Sequence, residues 1–345
     1  MLTQTPRVSH SVLVTQIRTS SVGMEALLTP EAKEVLRQFG EALDHDRAVR
    51  VRNRGFVSFD NANPAIEVQE TDDEQRQGPP GPAARSRQGS ARRQGAAGRP
   101  RKARPGSRVR SLRAAYEKQL GELEKAYPTL RHFADDDGMW LLVQSSVLDG
   151  LNAEATFLAA VSYHPNVGAR SWAFWKMPTG YRWIGDRHTN FFDGSICAFS
   201  PAEDDAWSEG CSLVTLIDLY TVWAMRHLHL EIEGRWPGKH YALLNLLGLP
   251  DPYYRLTQVK ESELCTCGIH GARYGECCRP SDLKHDFTKV KVDFERRNLG
   301  RSIGDRAPPR AVVDFIEGRR SVPPMREVHE PLREALASQR NTTIS

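Results

Sequence analysis

Six cysteines, at positions 197, 211, 265, 267, 277 and 278, hold most of the chemistry visible in this sequence. Four of them crowd together. Cys265-Thr266-Cys267-Gly268 is followed, nine residues on, by the adjacent pair Cys277-Cys278. Thiolates in two close pairs can surround one ion tetrahedrally, and Gly268 and Gly275 permit the turns this needs. Cys265, Cys267, Cys277 and Cys278 therefore read as ligands of a structural zinc ion (Zn2+), with no coordination position left open for catalysis. His270 is an alternative ligand, and a set of unliganded loop thiols is the competing reading. The unit, residues 258–285, is too short to build much of a core, so the metal itself is expected to fold it.

Cys197 stands apart, at the end of the loop His188-Thr189-Asn190-Phe191-Phe192-Asp193-Gly194-Ser195-Ile196-Cys197. A thiolate is both a nucleophile and a fair leaving group, so a cysteine can accept an acyl group as a thioester and release it to an amine. Both steps pass through a tetrahedral oxyanion, which needs a fixed neutral donor nearby. Gly194 allows a tight backbone turn beside the sulfur. The competing reading of Cys197 is a buried, inert thiol. Cys211, just before an apolar helix, is expected in the core.

The elements that must position these residues are legible in part. From Thr29 to about His45 the pattern is helical, with Thr29 as cap, Pro30 in the first turn and Leu36, Phe39 and Leu43 on one face. A short strand, Phe56-Val57-Ser58-Phe59, follows. Leu112, Tyr116, Leu120, Leu123 and Tyr127 fall at helical spacing, and Pro128 ends that helix. Strand-like runs come next, at 139–147, 155–163, 171–175 and 181–184, punctuated by Gly150-Leu151-Asn152, Pro165-Asn166 and Pro178-Thr179-Gly180. Four successive strands with short turns predict an antiparallel meander. Residues 213–230 are mostly apolar and read as a buried helix, ended by Gly234, Pro237 and Gly238. The plan is α+β, with helices on one side of the sheet.

This order of elements and the segment Asp193-Gly194-Ser195-Ile196-Cys197-Ala198 resemble the ubiquitin-conjugating (UBC) enzyme family over about residues 111–250. That family has an amphipathic first helix, a four-stranded meander, and a loop of the form His-Pro-Asn, a few residues, then Gly-Ser-Ile-Cys-Leu. Tyr163-His164-Pro165 sits where the family usually has a Tyr-Pro-Pro turn, and Trp207 lies in the loop before the next helix, as a tryptophan commonly does there. Thr189 replaces the family's proline, and the spacing from His188 to Cys197 is one residue shorter. The tidier tripeptide, His164-Pro165-Asn166, lies too far upstream of any cysteine. The resemblance implies that Cys197 carries a ubiquitin-like modifier as a thioester and that Asn190 offers its side-chain amide to the oxyanion. It also implies that His188 holds the loop. Glu203, Asp204 and Asp205, downstream in the same loop, are candidates for orienting an incoming lysine. The text Leu-Ile-Asp-Leu-Tyr-Thr-Val-Trp in the following helix is similar to bacterial members found in operons with ubiquitin-like modifiers or with cyclic-oligonucleotide antiphage (CBASS) signalling. The implied partners are a ubiquitin-like modifier, an activating enzyme and an acceptor protein such as a nucleotidyltransferase. The cysteine quartet is similar to the SEC-C zinc motif, with one extra residue here.

The rest of the chain is described by composition. It has 345 residues, 39 % of them hydrophobic, and a net charge of +4. No apolar run spans a bilayer and no secretory h-region opens the chain, so a cytoplasmic protein without a membrane partner is expected. Residues 1–23 read as a disordered tail, 24–70 as a small helix and strand segment, and 286–345 as a charged tail in which 327–338 suits one helix. Residues 71–110 read as a disordered basic linker: no acid occurs between Glu74 and Glu117, and aromatic residues are absent from 77–107. Such a run could neutralise phosphates, but without aromatic residues for stacking a solvated linker is favoured over a nucleic-acid site. Two further readings compete with the transferase. One is a catalytically dead UBC-like scaffold whose knuckle binds nucleic acid or a protein partner. The other is a cysteine hydrolase using Cys197 with His188 or His164, for which the sequence places no group to orient the base.

Overall fold

The structure, a computed structural model, describes residues 23–47, 49–59, 105–164, 167–185, 187–198, 206–245, 247–268, 271–298 and 300–329. Residues 60–104 with most of the basic linker, Pro165 and Asn166, Glu203, Asp204, Asp205, His270 and most of the helix expected at 327–338 lie outside these residues.

Helix α1 (Pro30–Asp44) starts as its residue types dictate, with the Thr29 side chain accepting from the Ala32 N–H. Leu36, Phe39 and Leu43 are buried on its inner face. The strand at 56–59 gains a partner: β1 (Val49–Arg52) pairs antiparallel with β2 (Phe56–Phe59). Helix α2 (Pro105–Ala126) begins several residues before the expected start, because Pro105 is itself suited to a first helical turn.

The main sheet is antiparallel and follows chain order: β3 (Arg131–Ala134), β4 (Gly138–Ser145), β5 (Glu154–Ser162), β6 (Ala169–Met177) and β7 (Gly180–Trp183). It has five strands where four are expected. The added strand, β3, is short and largely exposed, so it carries no apolar alternation that a sequence could show. Register pairs Leu141 with Ala159, and Phe157 with Ala173, on one face. On the other face Trp140 pairs with Ala160 and Leu158 with Trp172. The first face packs against α1, α2 and helix α3 (Leu213–Glu233) in one large core that includes Tyr116, Leu216 and Trp223. Ser212 caps α3 by accepting from Thr215 N–H, and Gly234 ends it in the left-handed conformation.

The chain then runs through α4 (Pro252–Gln258), the one-turn α5 (Arg279–Asp282), α6 (Phe287–Arg297) and α7 (Arg310–Ile316). Two expectations are corrected here. Helices do not lie on one side of the sheet, and residues 286–329 are not a tail. Val312, Val313, Ile316, Met325 and Val328 cover Trp140, Leu158, Trp172 and Phe174 on the second face. The physical reason is visible in β4–β6. These strands are apolar at nearly every position, so water must be excluded from both faces. No described helix is long and apolar enough to cross a membrane.

Candidate functional site

After β7 the chain enters a compact loop that ends at Cys197. Thr189 and Ile196 form an antiparallel bridge, and Asn190 N–H donates to the Ser195 carbonyl at 2.6 Å. Gly194 turns the chain with φ +64°, and a Cβ there would lie 2.7 Å from the Ala307 carbonyl carbon. The Ser195 hydroxyl donates to Asp193 Oδ1 at 2.8 Å and accepts from Asn190 Nδ2 at 3.0 Å and Arg170 Nη1 at 2.9 Å. Asn190 Nδ2 also reaches the Ile196 carbonyl at 3.2 Å.

The core holds this loop from two sides. From β6, Trp172 Nε1 donates to the Asp193 carbonyl at 2.8 Å and the Ser171 carbonyl accepts from Ile196 N–H at 2.7 Å. From α3, Trp223 Nε1 donates to the His188 carbonyl at 2.8 Å, and that carbonyl also accepts from Cys197 N–H at 2.9 Å. His227, one helical turn from Trp223, packs edge-on against Trp236 with ring centroids 5.0 Å apart. The Cys197 side of the loop therefore emerges fixed, between buried Ile196 and half-buried Ala198, with Cys197 itself exposed.

His188 adopts φ 47°, and its ring packs on Trp236 with centroids 4.1 Å apart and edge-on to His240 at 5.3 Å. Burial, followed by the charges of neighbouring groups, holds it well below the ordinary histidine range. Burial also pushes His227 and His240 down to about 3. All three are neutral at physiological pH. Beneath them lies a buried ion pair: Arg187 Nη1 and Nη2 donate to the two Glu263 carboxylate oxygens at 2.6 and 2.5 Å.

The C-terminal segment closes the loop's outer side. Arg301 Nη1 donates to the Phe192 carbonyl at 2.5 Å, and buried Arg306 reaches the Thr189 carbonyl at 3.4 Å. Burial holds the hydroxyl of Tyr254, on α4, above the ordinary tyrosine range, and the Arg306 and Arg187 cations oppose that rise, so the hydroxyl keeps its proton.

The second cluster is the cysteine quartet. One ligand atom from each of Cys265, Cys267, Cys277 and Cys278 lies within 4.8 Å of the others. Cys277 Sγ is 3.6 Å from Cys267 Sγ and 3.8 Å from Cys278 Sγ. A metal held tetrahedrally by sulfurs at about 2.3 Å needs S–S edges of about 3.8 Å, so the four can hold a metal ion. Burial and the crowded thiols push Cys277 up to about 11 and Cys278 higher still. A cation reverses that penalty, because it stabilises the thiolates that otherwise repel one another. A short ribbon frames the site: Leu264 bridges Arg273, and Cys265 N–H donates to the Ala272 carbonyl at 2.8 Å. The ribbon docks on α4, where Arg255 and Tyr274 both bind the buried Asp282 carboxylate.

The structure thus brings His188, Asn190 and Cys197 into one loop, and the four clustered cysteines into another unit. Cys211 is not in the core. It is exposed in the turn before α3, its Sγ 3.2 Å from Ser208 Oγ, because the apolar face of that helix starts only at Leu213. His164 pairs with Asp137 at 3.0 Å. Arg170, Arg187, Tyr254, Glu263 and Arg306 escape a reading of the sequence, since each comes from a distant stretch without a motif. No family model, curated protein or solved structure matches the chain.

Proposed function

We propose that this chain is an acyl-transfer protein of the ubiquitin-conjugating type. In this reading it carries a ubiquitin-like protein as a thioester on Cys197 and passes it to an amine of an acceptor protein. The carrying observation is an exposed thiol at the end of a loop braced from β6, α3 and the C-terminal segment. A bulky acylated partner can reach such a sulfur while the backbone beneath it stays fixed. The bacterial setting suggested by the helix text, a conjugation or antiphage operon, belongs to the same proposal.

In the first step the Cys197 thiolate attacks the carbonyl carbon of a thioester on the activating enzyme. A new C–S bond forms, and the donor thiolate leaves with the electron pair of the old one. In the second step an acceptor amine attacks the Cys197 thioester. Cys197 departs as thiolate, and the amine proton passes to solvent. The Trp223 and Trp172 indoles position the loop. The neutral His188 contributes its carbonyl as the acceptor for Cys197 N–H, a holding role. Asn190 can become a donor for the oxyanion only by leaving Ser195 Oγ and the Ile196 carbonyl. The four clustered cysteines fit a structural zinc, which when bound supplies folding free energy and no open coordination position.

The test mixes the full chain with an activating enzyme and a ubiquitin-like protein of the bacterial conjugation type, plus ATP. A thiol-sensitive adduct that disappears in Cys197→Ala is the expected result. Absence of any adduct with a demonstrably charged activating enzyme removes the transferase reading. One observation favours a non-catalytic scaffold instead: the Asn190 amide is already engaged within the loop. That scaffold would bind its partners equally well in Cys197→Ser.

A further inference from the structure

The four-cysteine unit and the Cys197 loop are distant in sequence but joined by one buried chain of bonds. Glu263 sits on the ribbon that frames the metal site, where its carbonyl accepts from Tyr274 N–H at 2.8 Å. Cys265 and Cys267 continue one arm of that ribbon, and Cys277 and Cys278 follow the other. The Glu263 side chain is fully buried, and its carboxylate accepts from both Arg187 Nη atoms and from Trp236 N–H at 2.8 Å. Arg187 adjoins His188, whose carbonyl is the acceptor for Cys197 N–H.

We propose that metal occupancy of the four-cysteine site governs the order of the Cys197 loop, with Glu263 and Arg187 as the positioning pair that transmits it. A two-stranded ribbon this short is marginal by itself, so beyond the Asp282 contacts that dock it on α4 the ion that ties its two ends is what closes it. Without that closure Glu263 leaves its place. Arg187 would then be a buried cation without its counter-charge, which the interior does not tolerate. It must turn toward water and take the 187–188 peptide with it, and Cys197 N–H loses its fixed acceptor. The inference rests on metal binding by the quartet and not on acyl transfer at Cys197.

The test is amide hydrogen exchange on the full chain, loaded with one equivalent of Zn2+ and again after chelation. Metal removal should speed exchange of peptide 187–198 by about tenfold while β4 and β5 stay protected. Unchanged exchange in 187–198 beside lost protection in 263–278 overturns the proposal. So does a uniform loss of protection that includes β4 and β5. A chain that retains no metal fails at the prior step, and metal analysis of the loaded sample shows which step failed. In Glu263→Gln with Zn2+ bound, peptide 187–198 should already exchange fast, and chelation should add nothing. A merely structural role would instead leave the metal response intact, and that result also overturns the proposal. Coupling is reciprocal, so Arg187→Lys should weaken Zn2+ affinity by about tenfold in a competition titration. Unaltered affinity counts against the pair.

Discussion

At the scale of single residues, the Cys197 loop depends on a few atoms that have no substitutes. Gly194 combines a left-handed backbone with the close approach of Ala307. Gly194→Ala should cost at least about 1–2 kcal/mol for the backbone alone, read as a lower denaturant midpoint. An unchanged midpoint would mean that the turn relaxes freely. Trp223→Phe removes the indole N–H from the His188 carbonyl and, at this buried position, also leaves a void where the larger ring packed. It should cost more than the about 1 kcal/mol of one hydrogen bond, with residues 187–198 perturbed most by NMR or exchange. The Arg187–Glu263 pair is a sterner case, because removing one member strands a buried charge. Arg187→Met alone should cost roughly 3–5 kcal/mol, and Arg187→Met with Glu263→Met clearly less than that. If the double variant is no more stable than the single, the pair is not coupled as its geometry indicates.

At the scale of elements, a cluster of neutral histidines binds the loop to the end of α3 and to the segment after it. His188 and His227 pack on Trp236, His240 stands edge-on to His188, and Arg187 lies beside them. His188 Nε2, His227 Nε2 and His240 Nδ1 lack hydrogen-bond partners among the described residues. Burial lowers all three pKa values, and the nearby Arg187 and Arg226 cations lower the His188 and His240 values further. Histidines that are neutral when folded bind protons more readily when unfolded. Their contribution to stability is therefore complete above about pH 6.5 and declines as pH falls toward the folded values. At pH 5 each should cost up to roughly 2 kcal/mol, so the thermal midpoint should fall between pH 7 and pH 5. A pH-independent midpoint in that window would place these rings in water. The metal unit follows the same logic with the opposite charge. Its thiols must lose protons to bind the ion, so acid should release the metal as well.

At the scale of the whole molecule, the sheet is closed on both faces, and the second closure belongs to the C-terminal residues. Val312 is fully buried against the tryptophan-rich face. Val312→Asp should destabilise by more than about 3 kcal/mol and raise binding of an apolar dye, since it places an unpaired charge over Trp140 and Trp172. A variant as stable as the parent would show that this segment only rests on the sheet. The same segment supplies Arg301, Arg306 and Ala307 to the outside of the Cys197 loop. Closing the second face and bracing the loop are thus one structural event.

The sequence by itself determined what is local. Thr29 and Pro30 start α1, the apolar runs mark the strands from β4 to β7, Gly194 marks the tight turn, and the cysteine spacing marks the four-cysteine cluster that can hold a metal ion. Each of these is set by backbone preference or by residues close together in the chain, so a short window suffices to read it. The tertiary structure alone decided how the pieces meet. A five-strand sheet with two covered faces, the exposure of Cys211, and the Arg187–Glu263 link between the two cysteine centres each join residues from separate stretches. The short, exposed β3 and the charged residues 286–329 carry little periodic apolar signal of their own. Their places follow from the need to exclude water from a sheet that is apolar on both sides, and that need exists only once the strands have paired.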